Sequence, residues 1–170
     1  MINMIKKHFL NFPYLSIYLA MLCTLSASVS LAQSATSEDE TAIKDLLARF
    51  YEGWNTHDVE KMVSVYADDI DHINAFGRWN KGKQAIKDDL SQFHAGPGKN
   101  SQKNYTIEKA RFLKPDVAIV QVRSISSVGN IGTYVLSKDT GKWLVVSFTN
   151  VEYKLQPTDA RKEGKKANEN

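Results

Sequence analysis

The 170-residue chain carries 22 basic and 19 acidic residues, a formal charge of +3, and a single cysteine. Two of the basic residues, Lys6 and Lys7, fall in the leader described next; without them 20 basic residues face 19 acidic ones, so no basic excess points to a nucleic-acid partner. The lone Cys23 lies in the same leader, which leaves the rest of the chain without a disulfide, a thiolate nucleophile or a cysteine metal ligand.

Lys6 and Lys7 precede an uncharged, apolar run from Phe9 to Leu25, and Ser30-Leu31-Ala32 places small side chains where a signal peptidase reads them. The pattern predicts a signal peptide over 1–32, cleaved after Ala32, and a periplasmic or secreted bacterial protein. A membrane anchor is the rival reading, but the run is interrupted by Asn11, Pro13 and Ser16 and falls short of the roughly 20 apolar residues a spanning helix needs. Leu22 before Cys23 argues against lipidation. The remaining 138 residues make one domain, 33–155, followed by a solvated, disordered tail over 156–170 in which Arg161, Lys162, Lys165 and Lys166 mix with Asp159, Glu163 and Glu169.

Ser37 and Glu40 have capping-box spacing, and Ile43, Leu46, Leu47, Phe50, Tyr51 and Trp54 recur on one helical face. Asp58 can cap a second helix with the stripe Val59, Met62, Val63 and Tyr66. A short strand is predicted over Ile70 to Phe76. A third helix follows Gly82, spans Lys83 to His94 with Ile86, Leu90 and Phe93 as its apolar face, and stops at Gly96-Pro97-Gly98. Four β-branched, aromatic segments come next: Tyr105 to Leu113, Val117 to Val128, Ile131 to Ser137 and Trp143 to Tyr153. This order predicts an α+β domain, three helices packed on a curved, mostly antiparallel sheet. Because Ala118-Ile119-Val120 and Leu144-Val145-Val146 are apolar on both faces, the sheet's other face is expected to be covered by a second copy in a homodimer.

Three stretches resemble the nuclear transport factor 2-like superfamily, and within it the SnoaL-like and SgcJ/EcaC-type groups. They are Glu52-Gly53-Trp54-Asn55-Thr56-His57-Asp58, Tyr66-Ala67-Asp68-Asp69, and Asp71 through Ile86 with its Asn74-Ala75-Phe76-Gly77-Arg78-Trp79 core. Trp143 to Asn150 resembles the final strand of that superfamily. The resemblance, over residues 38 to 153, implies a cone with an open pocket between helices and sheet, commonly in a homodimer. Members include isomerases, cyclases, dehydratases and proteins with no catalysis, so the fold does not choose the function. Ketosteroid isomerase-like relatives use an Asp on the strand before the glycine and a Tyr on the first helix; here Ile73 or Asn74 and Phe50 stand at those places, and that set is absent.

The residues themselves leave several roles open. Asp71 and His72 point to opposite faces of a strand, so only one can meet a pocket; His72 is either wall or the best available general base. Asn74 is either a polar anchor for a ligand or a strand-end amide serving the backbone. His94 caps the last carbonyls of the third helix or contacts ligand at the pocket mouth. Gln121 and Arg123, on one face of an apolar strand, meet a ligand carboxylate or carbonyl, or Arg123 forms a salt bridge in the dimer interface. Trp54, Phe76, Trp79 and Tyr134 are candidates for an apolar lining, about half of them plain packing. His57, His72 and His94 have no i, i+4 pair, no phosphate-cradling glycine loop precedes a helix, and no serine sits in a nucleophile elbow. The expectation is therefore a small-molecule-binding domain without metal or cofactor, or else a cofactor-free isomerase, cyclase or dehydratase using His72 with Asn74, or an interaction module.

Overall fold

The structure is a computed structural model that describes residues 36–155. The leader with its cleavage site, Cys23 and the tail from 156 onward lie outside the described residues. Helix α1 spans Ser37–Thr56 and buries the predicted stripe from Ile43 to Trp54. Its capping box sits one residue earlier than expected. Thr36 is the N-cap: its hydroxyl accepts from the Asp39 amide at 3.1 Å, and Asp39 Oδ2 accepts in return from the Thr36 amide at 3.2 Å. Both registers have the right spacing, and tertiary contacts choose between them. Asp39 faces the sheet and accepts from Lys138 Nζ at 2.7 Å and Trp143 Nε1 at 2.9 Å, whereas Glu40 is exposed.

His57 ends α1 in the left-handed region, φ 57°. Helix α2 is short, Val59–Val63, with Asp58 accepting from the Lys61 amide. It approaches α1 so closely that a Cβ on Gly53 would stand 2.9 Å from the Met62 amide nitrogen, which is why a glycine is required there. Tyr66 does not extend the α2 stripe as expected; it opens strand β1, Tyr66–Ile73, because it pairs in parallel with Val145. The strand predicted over Ile70 to Phe76 therefore begins and ends earlier. Asn74 to Arg78 is a turn leading into a strand the sequence reading missed, β2 at Trp79–Lys81, antiparallel to β1. Helix α3, Lys83–Ala95, buries Ile86, Leu90 and His94, and half-buried Phe93 packs against the core beside them, as the apolar spacing predicts.

Strands β3 (Asn104–Lys114), β4 (Val117–Ile125), β5 (Gly129–Asp139) and β6 (Lys142–Tyr153) form an antiparallel meander. The six strands run β2-β1-β6-β5-β4-β3, with β1 and β6 parallel and the other neighbours antiparallel. Register shifts in β3 and opposite Val146 of β6 bend the sheet. The β6 bulge also changes which side chains face inward: Trp143 and Val145 do so before it, Phe148 after it. The inner face, Ala118, Val120, Val122, Tyr134, Leu136 and Val145, packs on α1 to make the core. The outer face carries half-exposed Val117, Ile119, Ile131, Val135, Leu144 and Val146, the second apolar face read from the sequence. No helix among the described residues is long and apolar enough to cross a membrane.

Candidate functional site

The core does not fill the space between helices and sheet. A cavity of about 1080 Å³ remains, just above the usual range of small-molecule sites, roughly 300–1,000 Å³. Buried Phe50, Leu90, Tyr134 and Phe148 form its apolar walls. The mouth is rimmed by the 74–78 turn, the 97–103 segment and the β4–β5 turn.

His72 faces this cavity and Asp71 does not, as strand alternation requires. The imidazole is 6% exposed, lies 4.9 Å from the Phe148 ring, and leaves Nδ1 without a hydrogen-bond partner. Burial pushes its pKa down to about 4 against an upward pull from Asp89, so the ring is neutral at physiological pH and only weakly basic. Asp71, on the exposed side, accepts from Trp79 Nε1 at 2.8 Å. Trp79 is thus outside the cavity, contrary to expectation, and serves the β1–β2 hairpin.

Asn74 lines the cavity, but its amide is committed. Oδ1 accepts from the Phe76 and Arg78 amides, both at 3.0 Å, and Nδ2 donates to Asp89 at 3.3 Å. Of its two readings, the backbone-serving one describes what it does. Phe76 stands at the mouth, 82% exposed. Trp54 and Tyr134 line the cavity as expected. Gln121 and Arg123 do not: strand alternation puts them on the outer face of β4, where Arg123 pairs with Glu108 at 2.8 Å and donates to the Tyr153 hydroxyl at 2.6 Å. The strand expected over Val117 to Val128 is β4, which ends at Ile125, and its inward positions include Val122 and Ser124. Within its own chain Arg123 therefore meets Glu108 of β3 and Tyr153 of β6 and faces away from the cavity.

His94 is buried behind the cavity wall instead of at the mouth. Its Nδ1 lies 2.7 Å from His57 Nδ1, its ring packs edge-on against Trp54 at 4.7 Å, and Nε2 has no partner. Burial first, then the neighbouring His57 and Lys103, lowers its pKa to about 4. One Nδ1 of the pair must donate and the other accept.

Several lining groups gave no signal in the sequence. Asp89, on α3, accepts from Arg78 at 2.6 Å and from Asn80 at 3.0 Å, which ties the hairpin to the helix. The Tyr51 and Tyr134 hydroxyls meet at 3.3 Å. Burial raises the pKa of both phenols, which remain O–H donors. Asn150 donates to Asn130 at 2.8 Å. Lys103 precedes β3 and is fixed through its backbone: its amide donates to Asn55 Oδ1 at 2.8 Å and its carbonyl accepts from Asn55 Nδ2 at 3.0 Å. Its ammonium lies 3.6 Å from the centroid of the Trp54 ring, and burial lowers its pKa to about 8. Among the described residues no group of three or more His, Cys, Asp or Glu side chains is placed to hold a metal ion.

The SnoaL-like domain model matches residues 47–151, well over half of the chain. The chain belongs to the SnoaL-like family. Solved structures similar to it share the nuclear transport factor 2-like, or cystatin-like, cone. A domain of unknown function with a cystatin-like fold from Nostoc punctiforme is 20% identical, with a TM-score of 0.67 over 77% of this chain and 86% of that one. A ketosteroid isomerase-like protein from Erwinia carotovora atroseptica is 13% identical, TM-score 0.62, over 71% and 100%. An NTF2-like protein of unknown function from Shewanella baltica is 15% identical, TM-score 0.59, over 72% and 99%. Identities this low carry the fold alone. Among curated proteins the sequence has no match. In this SnoaL-like cone the two candidates for the position that resemblance assigns to a proton-shuttling Asp are Ile73, half-buried at the end of β1, and Asn74, bound into the following turn.

Proposed function

We propose that this SnoaL-like protein is an exported small-molecule-binding protein that holds a partly apolar ligand in its cone. The observation that carries the proposal is the cavity of about 1080 Å³, with aromatic walls and, at His72 Nδ1, a buried polar atom that no described residue satisfies. An orphan of this kind costs about 1–3 kcal/mol unless a water or a ligand group meets it. Binding is favoured over the cofactor-free enzyme reading because proton carriers are poorly provided. His72 is weakly basic, Asn74 is engaged in its turn, and Asp89 is held by Arg78, Asn74 and Asn80. Export rests on the Lys6-Lys7, apolar-run and Ser30-Leu31-Ala32 pattern. A homodimer through the outer sheet face is part of the same reading, supported by the half-exposed apolar strip from Val117 to Val146.

Of the three tryptophans only Trp54 lies in the cavity wall, so a ligand-dependent change in tryptophan emission reports occupancy. Titration with small apolar alcohols and ketones is expected to give a saturable one-to-one change. Asn150→Trp, which places a large side chain against the cavity from a half-exposed position, is expected to abolish it. A response that is unsaturable, or equal in wild type and Asn150→Trp, would refute the binding reading.

A further inference from the structure

We infer that the ligands this cavity prefers are small apolar carboxylic acids, with the carboxylate paired to the Lys103 ammonium against the face of Trp54. The inference rests on the binding reading above and deepens it by naming a ligand class. Lys103 is the cavity's uncommitted cation. Arg78, the other cation in the lining, is already paired with Asp89 at 2.6 Å. Among the described residues Lys103 makes no ion pair, and its ammonium lies 3.6 Å from the centroid of the Trp54 ring. The two Asn55 hydrogen bonds fix its backbone at the cavity, where they clamp the end of α1 to the start of β3.

A half-buried ammonium in a mostly apolar cavity is destabilised by its loss of water, and the ring face offsets only part of that. The lowering of its pKa to about 8 is the same cost seen in its titration. A ligand carboxylate would restore the missing counter-charge, while the ligand's apolar body would lie along Phe50, Tyr134 and Phe148. Glu152 also lines the cavity and draws the Lys103 pKa upward, but it is exposed and stands outside ion-pair distance, so solvent screens it. Phosphate esters fit less well: a dianion asks for several cations or a cluster of backbone amides, and the cavity offers one free ammonium.

The test compares decanoic acid and 2-naphthoic acid with their methyl esters, read by Trp54 emission and by calorimetry on the folded domain at pH 7. The acids are expected to bind roughly 10–100-fold more tightly than the esters, the range a charge-assisted contact supplies. In Lys103→Met the ratio is expected to fall to near one through loss of acid affinity, with ester affinity kept. Lys103→Arg is expected to keep the preference. Raising the pH above 8 weakens acid binding and leaves ester binding unchanged. Equal affinity of acid and ester in the wild type overturns the inference while leaving the cavity reading intact, and so does a preference that survives in Lys103→Met. Failure of acids and esters alike to bind overturns both. The wild-type comparison needs no variant, so a poorly folded Lys103→Met would not shield the claim.

Discussion

Asp39 joins the start of α1 to the central strands β5 and β6, and its removal has a cost that can be worked from the four hydrogen bonds it accepts. Oδ2 accepts from the Thr36 amide and hydroxyl, and Oδ1 from Lys138 Nζ and Trp143 Nε1. The Lys138 bond, more than the others, holds the carboxyl well below the usual carboxylate range. In Asp39→Ala the return hydrogen bond from the Thr36 amide is lost, worth about 1 kcal/mol, while the Thr36 hydroxyl still caps the residue-39 amide. Trp143 Nε1, on a side chain 4% exposed, is orphaned, worth about 1–3 kcal/mol. Lys138 is a third exposed and turns to water at little cost. The sum is about 2–4 kcal/mol, or roughly 8–16 °C in Tm for a domain of this size. Urea unfolding should show a lower midpoint with an unchanged m-value. Adding Trp143→Phe removes the orphaned donor, so the double variant should be less destabilised than the two single losses added together. An Asp39→Ala protein within about 0.5 kcal/mol of wild type, or strictly additive losses, would refute the reasoning, because the first denies the anchor and the second denies that Trp143 shares it.

Stability should also fall in mild acid. His72 and His94 have pKa values near 4 in the folded protein against an ordinary 6.5, so between those values the unfolded chain binds more protons and the folded state loses ground as pH drops, with no further loss from these groups below about 4. For His72 the full separation is worth about 3 kcal/mol, and urea midpoints for His72→Phe should be flatter over that window than wild type; equal slopes contradict the assignment. Outer-face Ile119→Glu should turn a light-scattering dimer into a monomer with its fold intact, and a monomeric wild type would remove the dimer proposal. Expression with the native leader in a bacterium should yield a mature protein beginning at Gln33, whereas retention of residues 1–32 would count against export.

The helical layer was legible because its signals are periodic: the α1 stripe, Gly82 before α3, and Gly96-Pro97-Gly98 after it all appear where the spacing places them. The meander was legible from β-branched runs between short turns. What was not legible needed information from distant residues. The sequence contains two capping-box spacings, and Lys138 and Trp143, about a hundred positions away, select Thr36 with Asp39. Trp79–Lys81 is too short and polar to announce a strand, and it exists because β1 offers an edge. Alternation along β4 separates Val122 from Arg123 but does not say which is inside; only the helices packed on that face decide. The bulge at Val146 then moves Phe148 inward, a shift in parity that no two-residue period reveals. Lys103 was invisible for the same reason, since a position in an aperiodic loop acquires meaning only through Asn55, which binds its backbone across 48 positions.

The central claim is that the space between helices and sheet is a binding site and not a packing defect. Intact-mass measurement under native conditions, after incubation with a mixture of small apolar acids, ketones and alcohols and then buffer exchange, asks this directly. The account predicts one added small molecule per chain, released on denaturation and absent from Asn150→Trp. A spectrum showing only the bare chain, or the same adducts on Asn150→Trp as on wild type, would contradict it.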